Sequence, residues 1–352
     1  MAALALAVVP ILASVGCRSS AGPPAAQPSP RAEPTARYGV AGAFDPGALL
    51  GPRDHSAVVV RFGMAVPGAS LDKIEAVETS AGARLGVVRV FARWDSEFPS
   101  ANHQALLGAG RSIHLSVRPR TDAGRVIRWA EIATAEPGSE IDQALNRWTS
   151  TVAAFGSQIY FTLNHEPETE ASAGSGTPAD YEAAWRHLVE RLRANGGHDV
   201  KTVLVLGRGA YADGSAAQWY PGDDVVDVVG VDPYNWYDCQ GQPRPWMGPA
   251  ELIAPALAFA EIHHKPLAIP EIASTEDPAD SLRKATWIVE LAQTLASPAV
   301  ADHLEFAAWF SVDDPSWPAC QWRYDSSAAS RQAMARVVGW LNQSGPVGGP
   351  TG

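Results

Sequence analysis

Between residues 57 and 312 the chain alternates short β-branched apolar runs with longer amphipathic stretches, and it does so eight times. The runs fall at 57–66, 85–94, 112–120, 158–166, 200–207, 225–234, 265–273 and 304–312. Strands that alternate with helical patterns argue for βα units and a parallel sheet. Most of the runs are continuously apolar and turn polar or aromatic only at their C-terminal ends. A strand covered by helices outside and packed inside reads this way. Eight such units predict an α/β fold, a (β/α)8 TIM barrel forming a single catalytic domain over residues 38–344. In that fold the C-terminal strand ends carry the chemistry. Helix signals agree: Ser139 has Asp142 three residues on, Asp180 precedes an apolar-periodic run, and Gly196-Gly197 follows a basic last turn.

The flanks read differently. Residues 2–16 are an apolar run of signal h-region length, too short to span a bilayer, and they lead into Ser14-Val15-Gly16-Cys17. This string is similar to a bacterial lipobox, with Cys17 as the acylated residue. It departs from the pattern in having Ser14 in place of Leu and no Lys or Arg before the apolar run. Residues 1–17 are therefore expected to be a signal, and 18–37, rich in Pro, Ala and Ser, a linker with too little apolar content to fold. Residues 345–352 form a short tail. The expected location is extracellular, anchored to the cell membrane through that lipid alone.

A formal charge of −11 excludes nucleic acid and anionic lipid as main partners, since both need clustered cations, and it favours a neutral substrate. Besides Cys17 there are two cysteines, Cys239 and Cys320, in similar Trp-x-x-Cys-Gln strings. In an exported chain the pair is expected to form a disulfide; the alternative is two buried thiols. Nine His residues are present, but His263-His264 lacks any ligand spacing around it, so neither a metal nor a cofactor is expected.

Two strand ends carry a carboxylate. Glu166 closes the fourth run in Asn164-His165-Glu166-Pro167, and Glu271 closes the seventh in Ile269-Pro270-Glu271-Ile272. On strands four and seven of one barrel they face each other across the mouth. Paired carboxyl groups so placed suit glycosidic bond cleavage with retention, one as nucleophile and the other as acid and then base. Tyr234, ending the sixth run in Asp232-Pro233-Tyr234, is placed to hydrogen-bond an ionised Glu271.

These residues resemble glycoside hydrolase family 26, the β-mannanase family of a retaining (β/α)8 clan, over most of residues 57–312. Trp129 to Ala133, Tyr181 to His187 and Tyr220 to Tyr234 extend the resemblance. It implies Glu166 as acid/base, Glu271 as nucleophile, and His165, Asp232, Tyr234 and Trp309 as sugar-binding residues, with Trp309 the aromatic floor. It also implies a polysaccharide substrate, with β-1,4-mannan leading. Pro167-Glu168-Thr169-Glu170 replaces the family's Met-Asn-Gly and aromatic, which leaves other backbones open: β-glucan, xylan or another cell-wall glycan. A non-catalytic glycan-binding lipoprotein is the alternative of another class.

Twelve Trp residues are present, and Trp236 is among those falling just after strand ends, where indole faces stack on sugars. His114, mid-run, is a further sugar-binding candidate if it points into the barrel mouth; the run leaves open that it points outward to a helix. Arg118 and Arg120 either line the cleft or form a loop salt bridge. Asp313-Asp314 reads as loop capping. The protein is expected to act as a monomer.

Overall fold

The computed structural model describes residues 44–52, 59–169 and 172–342. The expected signal (1–17), linker (18–37) and tail (345–352) lie outside the described residues. Eight parallel strands form the centre: β1 (Phe62–Ala65), β2 (Val87–Arg93), β3 (Ser112–Arg118), β4 (Ile159–Leu163), β5 (Lys201–Gly207), β6 (Val228–Asp232), β7 (Leu267–Ser274) and β8 (Leu304–Phe310). Each pairs with its neighbours in chain order, and β8 returns to β1 through Phe62↔Ala307 and Met64↔Trp309, so the sheet closes. The expected barrel is present. The strands are shorter than the apolar runs because the run ends turn into the connecting loops, as at Tyr234–Asn235, a two-residue strand beside the end of β7.

Closure demands close approach at particular points. A Cβ added at Gly63 of β1 would lie 1.9 Å from the Val87 carbonyl oxygen of β2, so only glycine lets these two strands pack. Alternation then sorts side chains into two apolar regions. Val87, Tyr160, Val203, Val205, Val228, Ala268, Phe306 and Ala308 fill the barrel, while their strand neighbours pack outward on the helices. At the N-terminal end the Tyr160 hydroxyl donates to Glu305 at 2.6 Å, and Lys201 pairs with Glu305 at 2.8 Å. Polar groups thus close the barrel floor while satisfying one another.

The helices begin and end where short polar signals dictate. Ser139 caps Glu140–Ala153 by accepting from the Asp142 amide. Asp180, expected to mark the start of its helix, lies three residues inside: Thr177 is the cap, Pro178 opens the helix, and the Asp180 side chain returns to the Thr177 amide. Gly196, with φ +84°, turns the chain after Ala194.

Strand β7 breaks alternation. Ile269 pairs with Ala307 and Ile272 with Trp309, so three steps on β7 oppose two on β8. The extra residue is a bulge, and it turns Glu271 to the same side as Ala268, into the barrel.

If Gly63 is required by strand spacing, Gly63→Ala should destabilise the protein by about 1–3 kcal/mol through forced strand displacement. Chemical denaturation measures this; an unchanged midpoint would contradict the packing described.

Candidate active site

At the C-terminal mouth lies a cavity of about 450 Å³ whose wall includes Phe91, Arg93, Ser116, Arg118, Arg120, His165, Glu271 and Phe310. Glu271 is 6% exposed. Its Oε1 accepts from Arg89 Nη2 at 3.0 Å and Nε at 3.3 Å, and its Oε2 accepts from the Tyr234 hydroxyl at 2.7 Å. Both oxygens are therefore held by donors, two of them from a charged guanidinium. Arg89 is 1% exposed and sits in the middle of β2. Its place inside an apolar run hides it in the sequence. An arginine at an inward position of a β-branched strand is nevertheless a signal, since burying it demands an anion.

Glu166 has opposite surroundings. Its amide donates to Val205 O of β5 at 2.8 Å, and both it and Asn164 adopt positive φ, +49° and +48°. Non-glycine residues pay for this conformation, which concentrates at functional sites. Burial first, then the negative charges of Glu271 and Glu168, push the Glu166 carboxyl up to about 8. The loop that departs from the family pattern supplies this neighbour. Glu168 is itself raised to about 7 by burial, and its Oε1 accepts from the Gly207 amide at 2.6 Å. Gly207 makes room, because a Cβ there would stand 3.2 Å from that oxygen.

Asp232 lies wholly buried behind the pair. Burial, then Glu271 and Glu166, raise its carboxyl well above the ordinary value, and in the protonated form it has Glu271 within hydrogen-bonding reach. His165 bonds Ser116 Oγ through Nδ1 at 2.8 Å and faces Phe91 at 5.3 Å. Burial first, then Arg89 and Arg118, hold its imidazole neutral. Tyr234, Asp232 and His165 therefore lie around the two glutamates.

Two expected contacts are elsewhere. Trp309 projects from the outer face of β8, 0% exposed, against Trp287 at 5.9 Å, with its Nε1 donating to Trp322 O at 2.9 Å. Alternation explains this: Phe306, Ala308 and Phe310 point inward, so Phe310 takes the cavity wall instead. His114 does point into the barrel, but below the cavity, where its Nε2 meets Thr162 Oγ1 at 2.8 Å and its ring meets Phe306 at 5.2 Å. It is 0% exposed and packs the interior.

Trp236 belongs to a ring cluster, 5.5 Å from Tyr234, 5.0 Å from Trp322 and 6.4 Å from Trp317, the last 38% exposed. The Cys239–Cys320 disulfide ties the loop after β6 to the loop after β8 and so fixes this cluster. Buried Lys284 holds the second loop from below through Arg323 O and Ser326 Oγ, each at 2.8 Å. Asp314 caps Ser316 at 2.8 Å, as expected for a loop role. Arg118 and Arg120 line the cavity and, among the described residues, pair with no carboxylate.

Fold and cavity together define a (β/α)8 barrel with an acidic pair at its C-terminal mouth. The family model for glycosyl hydrolase family 26 matches residues 147–247, which includes Glu166, Asp232 and Tyr234. Over those residues the chain is similar to that family. It is 26% identical over 278 residues to Endoglucanase H of Acetivibrio thermocellus, covering 76% of this chain and 29% of that protein. It is 25% identical over 181 residues to Beta-1,3-xylanase TXYA of a Vibrio species, covering 51% and 35%. The chain thus spans about a third of the length of these curated relatives. Among solved structures, the family 26 β-mannanase BoMan26A of Bacteroides ovatus superposes with a TM-score of 0.55 at 17% identity, covering 82% of this chain and 90% of that one.

Arg89→Leu should destabilise the fold by roughly 3–5 kcal/mol, because it leaves Glu271 buried without its cation. A denaturation midpoint equal to that of the unsubstituted protein would count against the pairing. Thiol titration of the denatured, unreduced protein should find neither Cys239 nor Cys320 free.

Proposed function

We propose that the protein hydrolyses a β-linked polysaccharide with retention of anomeric configuration, Glu271 acting as nucleophile and Glu166 as general acid and then base. The observation that carries this reading is the asymmetry of the two carboxyl groups. Glu271 accepts from Arg89 and Tyr234 through both oxygens, while Glu166 is raised to about 8. Glu271 is thus set to attack an anomeric carbon, and Glu166 still carries a proton near neutral pH for the leaving oxygen. Once the glycosyl–enzyme ester has formed, Glu166 takes a proton from water, and the ester is hydrolysed.

For substrate, β-1,4-mannan remains the leading choice, supported by the resemblance of strand six and the His-Glu pair. The relatives named for glucan and β-1,3-xylan cleavage, together with Glu168 where the family carries Met-Asn-Gly, favour a second reading: the same chemistry on a different β-glycan backbone. Export and acylation at Cys17 complete the proposal, with residues 18–37 as a tether to the 38–344 domain. Metabolic labelling with a fatty acid, lost in Cys17→Ala, tests that part.

Proton NMR of the first product released should show the β-anomer ahead of mutarotation; initial release of the α-anomer would rule out the roles assigned. Glu271→Ala should reduce turnover by several orders of magnitude on every substrate. Glu166→Ala should fall far less on aryl glycosides with good leaving groups than on polysaccharide, since those need no proton.

The pH dependence follows from the direction of the Glu166 shift. Its protonated form is the competent acid, so kcat/KM should fall as pH rises through about 8. Glu168→Gln removes one negative neighbour and should move that limb to lower pH. An upward displacement would show that Glu168 does not act on Glu166 by charge.

A further inference from the structure

The wall of the cavity formed by the ends of β2 and β3 carries three arginines, Arg93, Arg118 and Arg120. This concentration is not a general property of the chain, whose net charge is −11. Nor do the arginines touch Glu271 directly, since its oxygens are occupied by buried Arg89 and by Tyr234. Arg93 meets Asp122 at 3.3 Å in an exposed pair, which solvent screens. Arg118 and Arg120 are half-buried, and among the described residues neither forms an ion pair or a side-chain hydrogen bond. Arg118 Nε is buried without a partner.

Placing unpaired guanidinium groups together in a half-closed cavity costs free energy in the empty protein. Burial first, then Arg120 and Arg93, pull Arg118 below its ordinary value, while Glu166 and Glu271 act in the opposite sense. An anion bound between the arginines would relieve the repulsion and satisfy the idle donors. The planar fork of arginine matches a carboxylate or a sulfate in two parallel hydrogen bonds. Phe91, 45% exposed and lining the same cavity, offers an apolar face to the sugar ring bearing that anion.

We propose that Arg93, Arg118 and Arg120 form a subsite, beside the carboxylate pair, for an anionic sugar of the glycan chain: a uronosyl residue or a sulfated hexose. This narrows the substrate from a neutral β-glycan to an acid-substituted one, and it rests on the hydrolase reading above. The expectation of a neutral substrate, drawn from net charge, is thereby reversed at the site itself. Global charge governs long-range attraction, whereas specificity is set by the groups within hydrogen-bonding reach of the ligand.

The test is calorimetric binding to Glu166→Gln, used to slow turnover, with three β-1,4-linked oligosaccharides matched in length. One carries a hexuronic acid, one its carboxyl-reduced hexose, and one a sulfate ester. The account expects one of the anionic ligands to bind roughly tenfold or more tightly than the neutral one, and which of them does so identifies the source. That preference should weaken with added salt and collapse in Arg120→Gln and, separately, in Arg93→Gln, so that misfolding of one variant does not decide the result. Equal affinity for all three, or a preference unmoved by both substitutions, would overturn the subsite. Selective binding of an anionic ligand that the unsubstituted protein never cleaves would instead keep the subsite and sink the hydrolase reading.

Discussion

The ion pair between Arg89 and Glu271 spans the barrel from β2 to β7, with Arg89 1% and Glu271 6% exposed. Neither charge is tolerable there without the other, because removing either leaves a desolvated ion. Much of the surrounding chemistry follows. The Arg89 charge helps keep His165 and His114 neutral, opposes the rise of Glu166 and Asp232, and fixes one oxygen of Glu271 while Tyr234 takes the other. The bulge in β7 is what makes the pair geometrically possible, since strict alternation from Ala268 would turn Glu271 away from the barrel.

Most of the fold was legible in the sequence. Eight apolar runs with polar C-terminal ends sufficed for the closed parallel barrel, and Glu166 and Glu271 stood out as carboxylates ending such runs. The misses have one cause. Side-chain direction along a strand depends on parity, and a continuously apolar run gives no parity signal. Trp309 therefore read as a cavity floor although it faces Trp287, and His114 could not be assigned to either side. Arg89 was passed over within an apolar run, though it marked the inward parity of β2. A bulge is likewise invisible before strand pairing is known.

The carboxyl pair and the aromatic and arginine-lined surfaces lie on different parts of the molecule. The carboxyl pair is carried on strand ends fixed by the barrel. The aromatic cluster around Trp236 and Trp322 depends on a disulfide between two loops and on Lys284 beneath one of them. The arginine wall comes from the ends of β2 and β3. Loops and strand ends of this kind can change without disturbing the pair, so the resemblance is readable at the glutamates and not at the surfaces around them.

The account turns on two carboxyl groups held in different environments, and the Glu166 carboxyl can be observed directly. Carbon NMR of protein labelled at the glutamate carboxyl carbons, with Glu166→Gln to assign the signal, follows it through a pH titration. The account predicts that the Glu166 signal stays at its protonated position through neutrality and shifts near pH 8. Titration close to the ordinary carboxyl value of 4.5 would contradict it, because Glu166 would then have no proton to give at neutral pH.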